Sequence, residues 1–188
     1  MKDKKTAIER HGIPWVVKIG ACDYKVTFCS PETLLDGTFG SHNRSSGDIS
    51  IQEGLPRSTT WIVLFREILY ITNITLKKTI AEPLASSLLA FIDENNFPQK
   101  KIPSSVKIGP CLFRVMLCEA ADLPDQCGEN YRETMEIKLR KNMSPSIIWE
   151  IFLHECLHAM NNGFCEETIE YLSSLLFITL DNMKLLRC

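Results

Sequence analysis

The chain lacks three features that would assign it to a membrane, to nucleic acid or to secretion. No apolar run approaches the length of about 18 residues that a membrane-spanning helix needs, so we expect no membrane partner. Its charges nearly balance, with 21 Lys and Arg against 23 Asp and Glu, so we expect no attraction to nucleic acid. Residues 1–5 lead into a polar segment without an apolar core, which predicts no secretory signal and a cytoplasmic location.

The spacing of the eight cysteines does not support a pattern of disulfides. Cys22 and Cys29 return as Cys111 and Cys118, and members of each pair stand seven positions apart in a predicted strand. Side chains at that spacing point to opposite faces, which suits neither a local disulfide nor a zinc knuckle. Without a secretory signal, free thiols in a reducing compartment are expected.

An internal repeat organises the chain. Residues 17–29 return as 106–118, Trp61 matches Trp149, and Glu67 matches Glu155. Ser-Ser-Leu-Leu stands at 86–89 and again at 173–176. A period of about 88 residues is too long for a solenoid unit, so each copy is predicted to be a small domain. The domains are expected at 14–95 and 102–188, joined by a linker at 95–105 that contains two prolines.

The predicted fold class is α+β, in which each repeat has a small antiparallel sheet followed by two helices. A first strand or hairpin is expected at 15–29 and at 106–118, and a second strand at 47–52 and at 134–140. The expected helices are 58–72, 82–94, 145–161 and 165–182. Equivalent apolar faces in both copies predict that the two repeats pack against each other within the chain.

The stretch from His154 to His158 reads H-E-x-x-H inside the third predicted helix. Residues four apart share one face of a helix, so His154 and His158 can bind one metal ion while Glu155 acts as a general base. The alternative is that both histidines are core residues bonded to backbone carbonyls. Ser144-Pro145 supplies a helix start, and residues 161–163 (Asn-Asn-Gly) supply a stop, so the motif has the helical context that it requires.

The first copy lacks this metal site. Arg66 stands where the second copy has His154, and Tyr70 stands where it has His158. Arginine carries a fixed positive charge and cannot bind a cation. Glu67 is retained, and we expect it to form an ion pair with Arg66 or another basic residue.

A hydrolytic zinc site usually has three protein ligands, so one more must come from outside this helix. Glu166, Glu167 and Glu170 open the next predicted helix, and spacing alone does not choose among them. Acidic residues are also common in the first turn of any helix, because they complement its dipole. Cys165 is a weaker candidate.

The second copy resembles the small zincin-like metallopeptidases typical of phages and prophages, which are related in motif to the ImmA/IrrE group. The resemblance covers most of residues 105–183. It is carried by Lys107-Ile108-Gly109, by the Cys127-Gly128 turn, by the strand at 136–139, by His154-Glu155-Cys156-Leu157-His158-Ala159, and by the helix that begins at Glu166. The resemblance implies a Zn²⁺ ion held by His154, His158 and Glu167, with Glu166 as the runner-up for the third ligand and Glu155 as the base. The chain departs from the group in carrying a first copy without ligands.

These features predict a zinc-dependent peptidase, in which Glu155 acts on a zinc-bound water and the substrate is a protein or peptide. A strand at 133–141 could pair with an extended substrate if it is an edge strand. Tyr131 or Tyr171 could support the oxyanion, although either is more often a packed aromatic residue. The alternative function is a non-catalytic regulatory or host-protein-binding module on a peptidase scaffold, since the first copy shows that the ligands can be lost.

Overall fold

The computed structural model describes residues 12–35, 37–72, 76–97, 99, 101–160 and 163–186. These residues contain two four-stranded sheets, each followed by two helices. The prediction of two repeats, each with a sheet and a pair of helices, is therefore confirmed.

The elements of the first repeat follow one another in the order of four strands and two helices. They are β1 (Val16–Ile19), β2 (Cys22–Cys29), β3 (Gly40–Asn43), β4 (Asp48–Gln52), α1 (Arg57–Thr72) and α2 (Lys78–Glu94). The strand order across the sheet is β1-β2-β4-β3.

The second repeat has the same elements in the same order. They are β5 (Ser105–Ile108), β6 (Cys111–Cys118), β7 (Gly128–Tyr131), β8 (Glu136–Arg140), α3 (Pro145–Met160) and α4 (Glu166–Asn182). The strand order is β5-β6-β8-β7. In both repeats a glycine with positive φ, Gly20 or Gly109, turns the chain between the first two strands, which explains why this residue recurs.

The prediction of antiparallel sheets is wrong for the central pair of strands. β2 pairs with β4, and β6 pairs with β8, in parallel register. The segment between β6 and β8 is long enough to carry the chain back across the sheet, as parallel neighbours require, and it contributes β7 on the way. β8 consequently lies inside the sheet, so the strand predicted at 133–141 is not an edge. The edge strand beside α3 is β7.

The core of the second repeat lies between the sheet and α3. Along β8 the side chains of Ile137 and Leu139 are fully buried, and they alternate with partly exposed residues, as a period of two dictates for a sheet covered on one face. Trp149 and Phe152 of α3 are buried on the helical side. This packing determines which face of α3 points away from the sheet.

The helix boundaries agree with the sequence pattern except at α2. The helix predicted at 82–94 begins at Lys78, and Pro83 lies inside it rather than at its start. The stop predicted at residues 161 and 162 lies outside the described residues. By contacts, the chain divides into units Met1–Leu89 and Ala90–Cys188, with the division inside α2 rather than in the predicted linker. The domain ranges 14–95 and 102–188 stay predictions, as does the packing of the repeats.

The seven cysteines among the described residues are free thiols, as predicted. Across the same residues, helices long and apolar enough to cross a membrane are absent.

Candidate metal centre

The two motif histidines face each other on the surface of α3. His154 Nε2 lies 3.0 Å from His158 Nε2, and the two rings are nearly perpendicular, with an interplanar angle of 67°. Both side chains are partly buried, at 17% and 25% exposure. The four-residue spacing within one helix is sufficient to produce this approach, because it places the residues one above the other.

Glu166, the first residue of α4, completes the group. Its Oε1 lies 3.0 Å from His154 Nε2, and its Oε2 lies 3.0 Å from His158 Nε2. Of the ligand sets that the described residues could form, His154, His158 and Glu166 make the one in which three donor atoms converge, within 4.8 Å of one another. α3 packs against α4, and that packing carries the carboxylate to the histidines.

Glu167, which the resemblance implied as the third ligand, does not reach the histidines. It is exposed and does not belong to the converging group. Each residue turns a helix by about 100°, so a shift of one position moves the side chain off the face that meets α3. Glu170, one turn after Glu166, returns to that side and lines the same cleft.

The distances among the three donor atoms suit a shared metal ion better than they suit hydrogen bonds between the side chains. Each imidazole Nε2 is about 3.0 Å from both a carboxylate oxygen and the other Nε2, and a ring nitrogen has at most one hydrogen to share between them. Ligands about 2.0–2.2 Å from a tetrahedral zinc are separated by about 3.3 Å, which is close to these distances. A divalent cation would satisfy all three lone pairs together.

An ion pair between charged histidines and Glu166 is the alternative explanation. Burial lowers the pKa of His154 below its ordinary value, although the nearby charge of Glu166 opposes this shift. The imidazole of His154 therefore favours the neutral form, which is the form that binds metals. This observation favours the metal over the ion pair.

Glu155 is the buried acid of the site. Its side chain is 6% exposed, and its Oε2 accepts a hydrogen bond of 3.1 Å from Asn130 Nδ2 on β7. Burial raises the pKa of the Glu155 carboxyl to about 7, and the hydrogen bond from Asn130 opposes that rise. A carboxyl held in this way is suited to accept and return a proton near neutral pH.

Gly128 allows Glu155 to lie directly against β7. A Cβ at this position would come within 2.5 Å of Ile151 Cγ2 and 2.9 Å of Glu155 Oε1. Gly40 has the same relation to α1, where a Cβ would meet Val63 Cγ1 at 2.4 Å. A close approach of helix to strand thus explains why both repeats have glycine at this strand position.

We expect Gly128→Ala to lower the free energy of unfolding by about 1–3 kcal/mol, because α3 must move away from β7. Urea unfolding measures this change. The matched experiment adds Ile151→Ala, which removes the nearest atom. The free energy of unfolding of the double variant should then fall by less than the sum of the two single changes. Strict additivity would contradict the proposed clash.

Arg132 fixes the end of α3 beside the site. Its Nη2 donates to the carbonyl oxygen of His158 at 3.1 Å and also to that of Ala159. In the first repeat Arg44 Nη2 donates to the carbonyl oxygen of Tyr70, the residue equivalent to His158. The sequence contains this arginine in both copies, but its helix-capping role becomes visible only in the folded chain.

The histidines, Glu155 and Glu166 open into a cleft of about 740 Å³. Its walls come from the segment that leads into β7, from β7 itself, and from the facing sides of α3 and α4. The lining residues are Asp125, Gln126, Cys127, Gly128, Glu129, Asn130, Glu150, Ile151, His154, Glu155, His158, Glu166, Glu170, Ser173 and Ser174.

The other residues considered from the sequence do not line the cleft. The hydroxyl of Tyr131 donates to the carboxylate of Glu129, and Tyr171 is 50% exposed. Cys156, the middle residue of the H-E-x-x-H motif, is buried. Cys165 is exposed, with its Sγ 3.1 Å from Thr168 Oγ1, and it does not join the three donors.

The helices of the two repeats correspond residue by residue from their first positions, Arg57 with Pro145 and Lys78 with Glu166. Ser86 therefore corresponds to Ser174, one residue away from the Ser-Ser-Leu-Leu match made on the sequence. The burial of α2 and α4 follows the same alignment, with Ala81 and Ile169 buried at equivalent places. In this register Glu82 is the counterpart of Glu170.

The first repeat places two cations where the second has donors for a metal. Arg66 and Lys78 occupy the positions of His154 and Glu166. Arg66 donates to Glu67 Oε1 from Nη2 at 2.7 Å and from Nε at 3.0 Å, which confirms the expected ion pair. His42 occupies the strand position that Asn130 holds in the second repeat. Its Nδ1 lies 2.8 Å from Glu67 Oε2.

Glu82 completes the network of the first repeat. Its Oε1 lies 3.7 Å from Arg66 Nη1 and 3.7 Å from Lys78 Nζ. The guanidinium thus bridges Glu67 and Glu82. The two carboxylates of this network, those of Glu67 and Glu82, are thus paired with basic side chains of the same chain.

Comparisons with family models, curated proteins and solved structures found no match to this chain.

Proposed function

We propose that the chain is a zinc-dependent peptidase, with His154, His158 and Glu166 as the metal ligands and Glu155 as the general base. The observation that carries this proposal is the convergence of three donor atoms from α3 and α4 beside a buried carboxyl group, inside one open cleft. Two imidazoles and a carboxylate form the ligand set that hydrolytic zinc sites use, with a position left for water.

Zinc, when bound, lowers the pKa of a water molecule and polarises the carbonyl group of the scissile peptide bond. The chain supplies the proton transfers. Glu155 accepts the proton of the attacking water and returns it to the leaving amine, which regenerates the carboxylate. The hydrogen bond from Asn130 to Glu155 Oε2 holds the carboxyl group in place for both transfers.

The edge of β7 provides a surface for an extended substrate. β7 is the last strand of its sheet, and Gly128 and Asn130 of this strand line the cleft. An added peptide strand can form main-chain hydrogen bonds with such an edge. This geometry favours endopeptidase action on unstructured segments, with β7 in the role that the sequence assigned to residues 133–141.

The choice of third ligand provides the first test. Purified chain is expected to hold one zinc ion and to cleave unfolded polypeptides. Glu166→Gln should weaken zinc binding at least about 100-fold, since loss of a mere supporting residue already costs 10–100-fold. Glu167→Gln, the matched control one residue away, should leave zinc binding unchanged.

Competition with a coloured chelator measures zinc affinity, and metal analysis measures stoichiometry. Equal zinc binding by Glu166→Gln and the wild type would remove Glu166 from the ligand set. Loss of zinc in Glu167→Gln alone would restore the ligand that the family resemblance implied.

A second candidate function is that of a binding module that catalyses no reaction, with or without a bound metal. The first repeat favours it, because that repeat keeps the same strands and helices with Arg66, Tyr70 and Lys78 in place of the three ligands. The scaffold therefore does not depend on the metal. A chain that captures a polypeptide without cleaving it, with zinc bound, would support this alternative.

A further inference from the structure

A hydrogen bond between side chains joins α3 to α4 inside the cleft. The hydroxyl of Ser174 on α4 donates to Oε1 of Glu150 on α3, and both side chains are partly buried. Both residues line the cleft into which the three metal donors open. The bond therefore connects the two helices that supply the donors.

The two partners lie on the helix faces that carry the donors. Glu150 is about one turn before His154 on α3, and Ser174 is about two turns after Glu166 on α4. Residues at intervals of four share one face of a helix, so the bond and the donors belong to one groove between α3 and α4. The rise from Glu166 to Ser174 is about 12 Å, so the bond acts on α4 well away from its first residue.

The rotation of α4 about its axis links the bond to the choice of third ligand. At the observed rotation Ser174 meets Glu150, and Glu166 meets both histidines. A rotation of about 100° would bring Glu167 to the place of Glu166, and it would carry Ser174 away from Glu150 at the same time. The orientation that forms the hydrogen bond is therefore the one that presents Glu166.

The first repeat has different residues at both places. Ile62 stands where the second repeat has Glu150, and a hydrocarbon side chain cannot accept a hydrogen bond. Ser86, the counterpart of Ser174, donates instead to the carbonyl oxygen of Glu82 in its own helix, at 3.0 Å. α1 and α2 are also less closely packed on each other than α3 and α4 are. Within the described residues, the bond and the metal ligands thus occur together in one repeat and are replaced together in the other.

The fold itself does not require this polar pair, since the first repeat forms the same elements with Ile62 at the place of Glu150. A partly buried carboxylate and hydroxyl are less favourable in such a groove than hydrocarbon groups unless they bond to each other. Apolar contacts permit several rotations of one helix on another, whereas a hydrogen bond needs a defined direction. The pair therefore contributes orientation rather than burial.

We propose that Glu150 and Ser174 are positioning residues, which hold α4 at the rotation that presents the Glu166 carboxylate to His154 and His158. This role rests on the proposed function, because it concerns what selects the third ligand of that metal site. Neither residue is among the converging donors, so both act through Glu166. Without the bond, zinc must itself fix the orientation of α4, and the cost of that ordering weakens binding.

Ser174→Ala removes the hydroxyl donor and little else, so it provides the main test. We expect it to weaken zinc binding about tenfold, at the lower end of what supporting residues of metal sites contribute. Ser86→Ala is the matched control, because it makes the same change at the equivalent place of the first repeat. It should leave zinc affinity unchanged. Competition with a coloured chelator measures the affinities, and circular dichroism of the metal-free proteins verifies that each variant is folded.

A double-mutant cycle with Glu166→Gln distinguishes a positioning role from a general structural one. Ser174 and Glu166 are about 12 Å apart along α4, so independent effects on zinc affinity should multiply. If Ser174 acts through Glu166, its change has nothing left to disturb once that carboxylate is gone. Ser174→Ala should then weaken binding by less than about twofold in the Glu166→Gln background, which is within the scatter of additivity.

Two changes at Glu150 separate the hydrogen bond from the charge. Glu150→Gln keeps an oxygen that can accept from Ser174 and removes the charge, whereas Glu150→Ile introduces the residue of the first repeat and removes the acceptor. We expect Glu150→Ile to weaken zinc binding as much as Ser174→Ala does. Glu150→Gln should retain most of the wild-type affinity. If Ser174→Ala does not fold, Glu150→Ile takes its place in the cycle with Glu166→Gln.

Wild-type zinc affinity in Ser174→Ala, with Glu166→Gln weakened, would overturn the proposal. So would effects of Ser174→Ala and Glu166→Gln that multiply, because the serine would then act independently of the ligand. A Glu150→Gln variant as weak as Glu150→Ile would also overturn it, since charge would explain the loss. Failure of the peptidase function would be distinct: the zinc affinities would change as expected, and zinc-loaded wild type would leave unfolded polypeptides intact.

Discussion

Glu155→Gln should lower kcat/KM for peptide hydrolysis about 10²- to 10⁴-fold, the range that general-base catalysis supplies. Glutamine has nearly the shape of glutamate, and its side-chain oxygen can still accept the hydrogen bond from Asn130. It cannot accept a proton from water. The change therefore removes the chemistry while it preserves the packing against Gly128.

Zinc content separates this loss from damage to the metal site. Glu155 is not among the three converging donors, so Glu155→Gln should retain one zinc ion with nearly unchanged affinity. Glu133→Gln serves as the control with the same chemical change at an exposed position. Equal cleavage by Glu155→Gln and wild type would exclude Glu155 as the base.

Arg66→Met should lower the free energy of unfolding by about 3 kcal/mol, because it leaves the buried carboxylate of Glu67 without its principal partner. The Arg66 and Glu67 side chains are 12% and 4% exposed, so water cannot replace the lost contacts. His42 retains its contact with Glu67, which places the expected cost at the lower end of the range for broken buried pairs.

A double-mutant cycle tests whether the ion pair causes this loss. Glu67→Gln removes the buried charge, so the combination with Arg66→Met should be more stable than Arg66→Met alone. Lys78→Met is the control, because Lys78 is 71% exposed and its pair with Glu82 should contribute less than about 1 kcal/mol. An Arg66→Met variant as stable as wild type would contradict the role of the guanidinium as an internal cation.

Much of the local structure followed from the sequence, because it depends on residues close together in the chain. The H-E-x-x-H spacing was sufficient to bring His154 and His158 to 3.0 Å of each other, since residues four apart share a helical face. The repeat predicted two sheets with two helices each. It also predicted that Glu67 pairs with Arg66 or another basic residue, and the partner is Arg66.

Contacts between elements could not be predicted in the same way. Whether Glu166 or Glu167 meets the histidines depends on the rotation of α4 about its axis, and an error of one residue rotates the helix by about 100°. That rotation is determined by packing against α3. The resemblance implied Glu167, whereas the carboxylate beside the histidines in the folded chain belongs to Glu166, one residue earlier. The Ser-Ser-Leu-Leu match was likewise displaced by one residue from the alignment of the helices.

The surroundings of Glu155 were likewise decided by the tertiary structure alone. Asn130 and Gly128 contact Glu155 from β7, which is an edge strand because β6 and β8 pair in parallel. Nothing in the local pattern of residues 128–131 indicates that order of strands. The sequence by itself determined the two donors on one helix and the loss of both in the first repeat, through helical periodicity and side-chain chemistry. The folded chain decided which carboxylate meets the histidines, which residue bonds to Glu155 and which residues line the cleft, because each depends on which distant elements come to lie side by side.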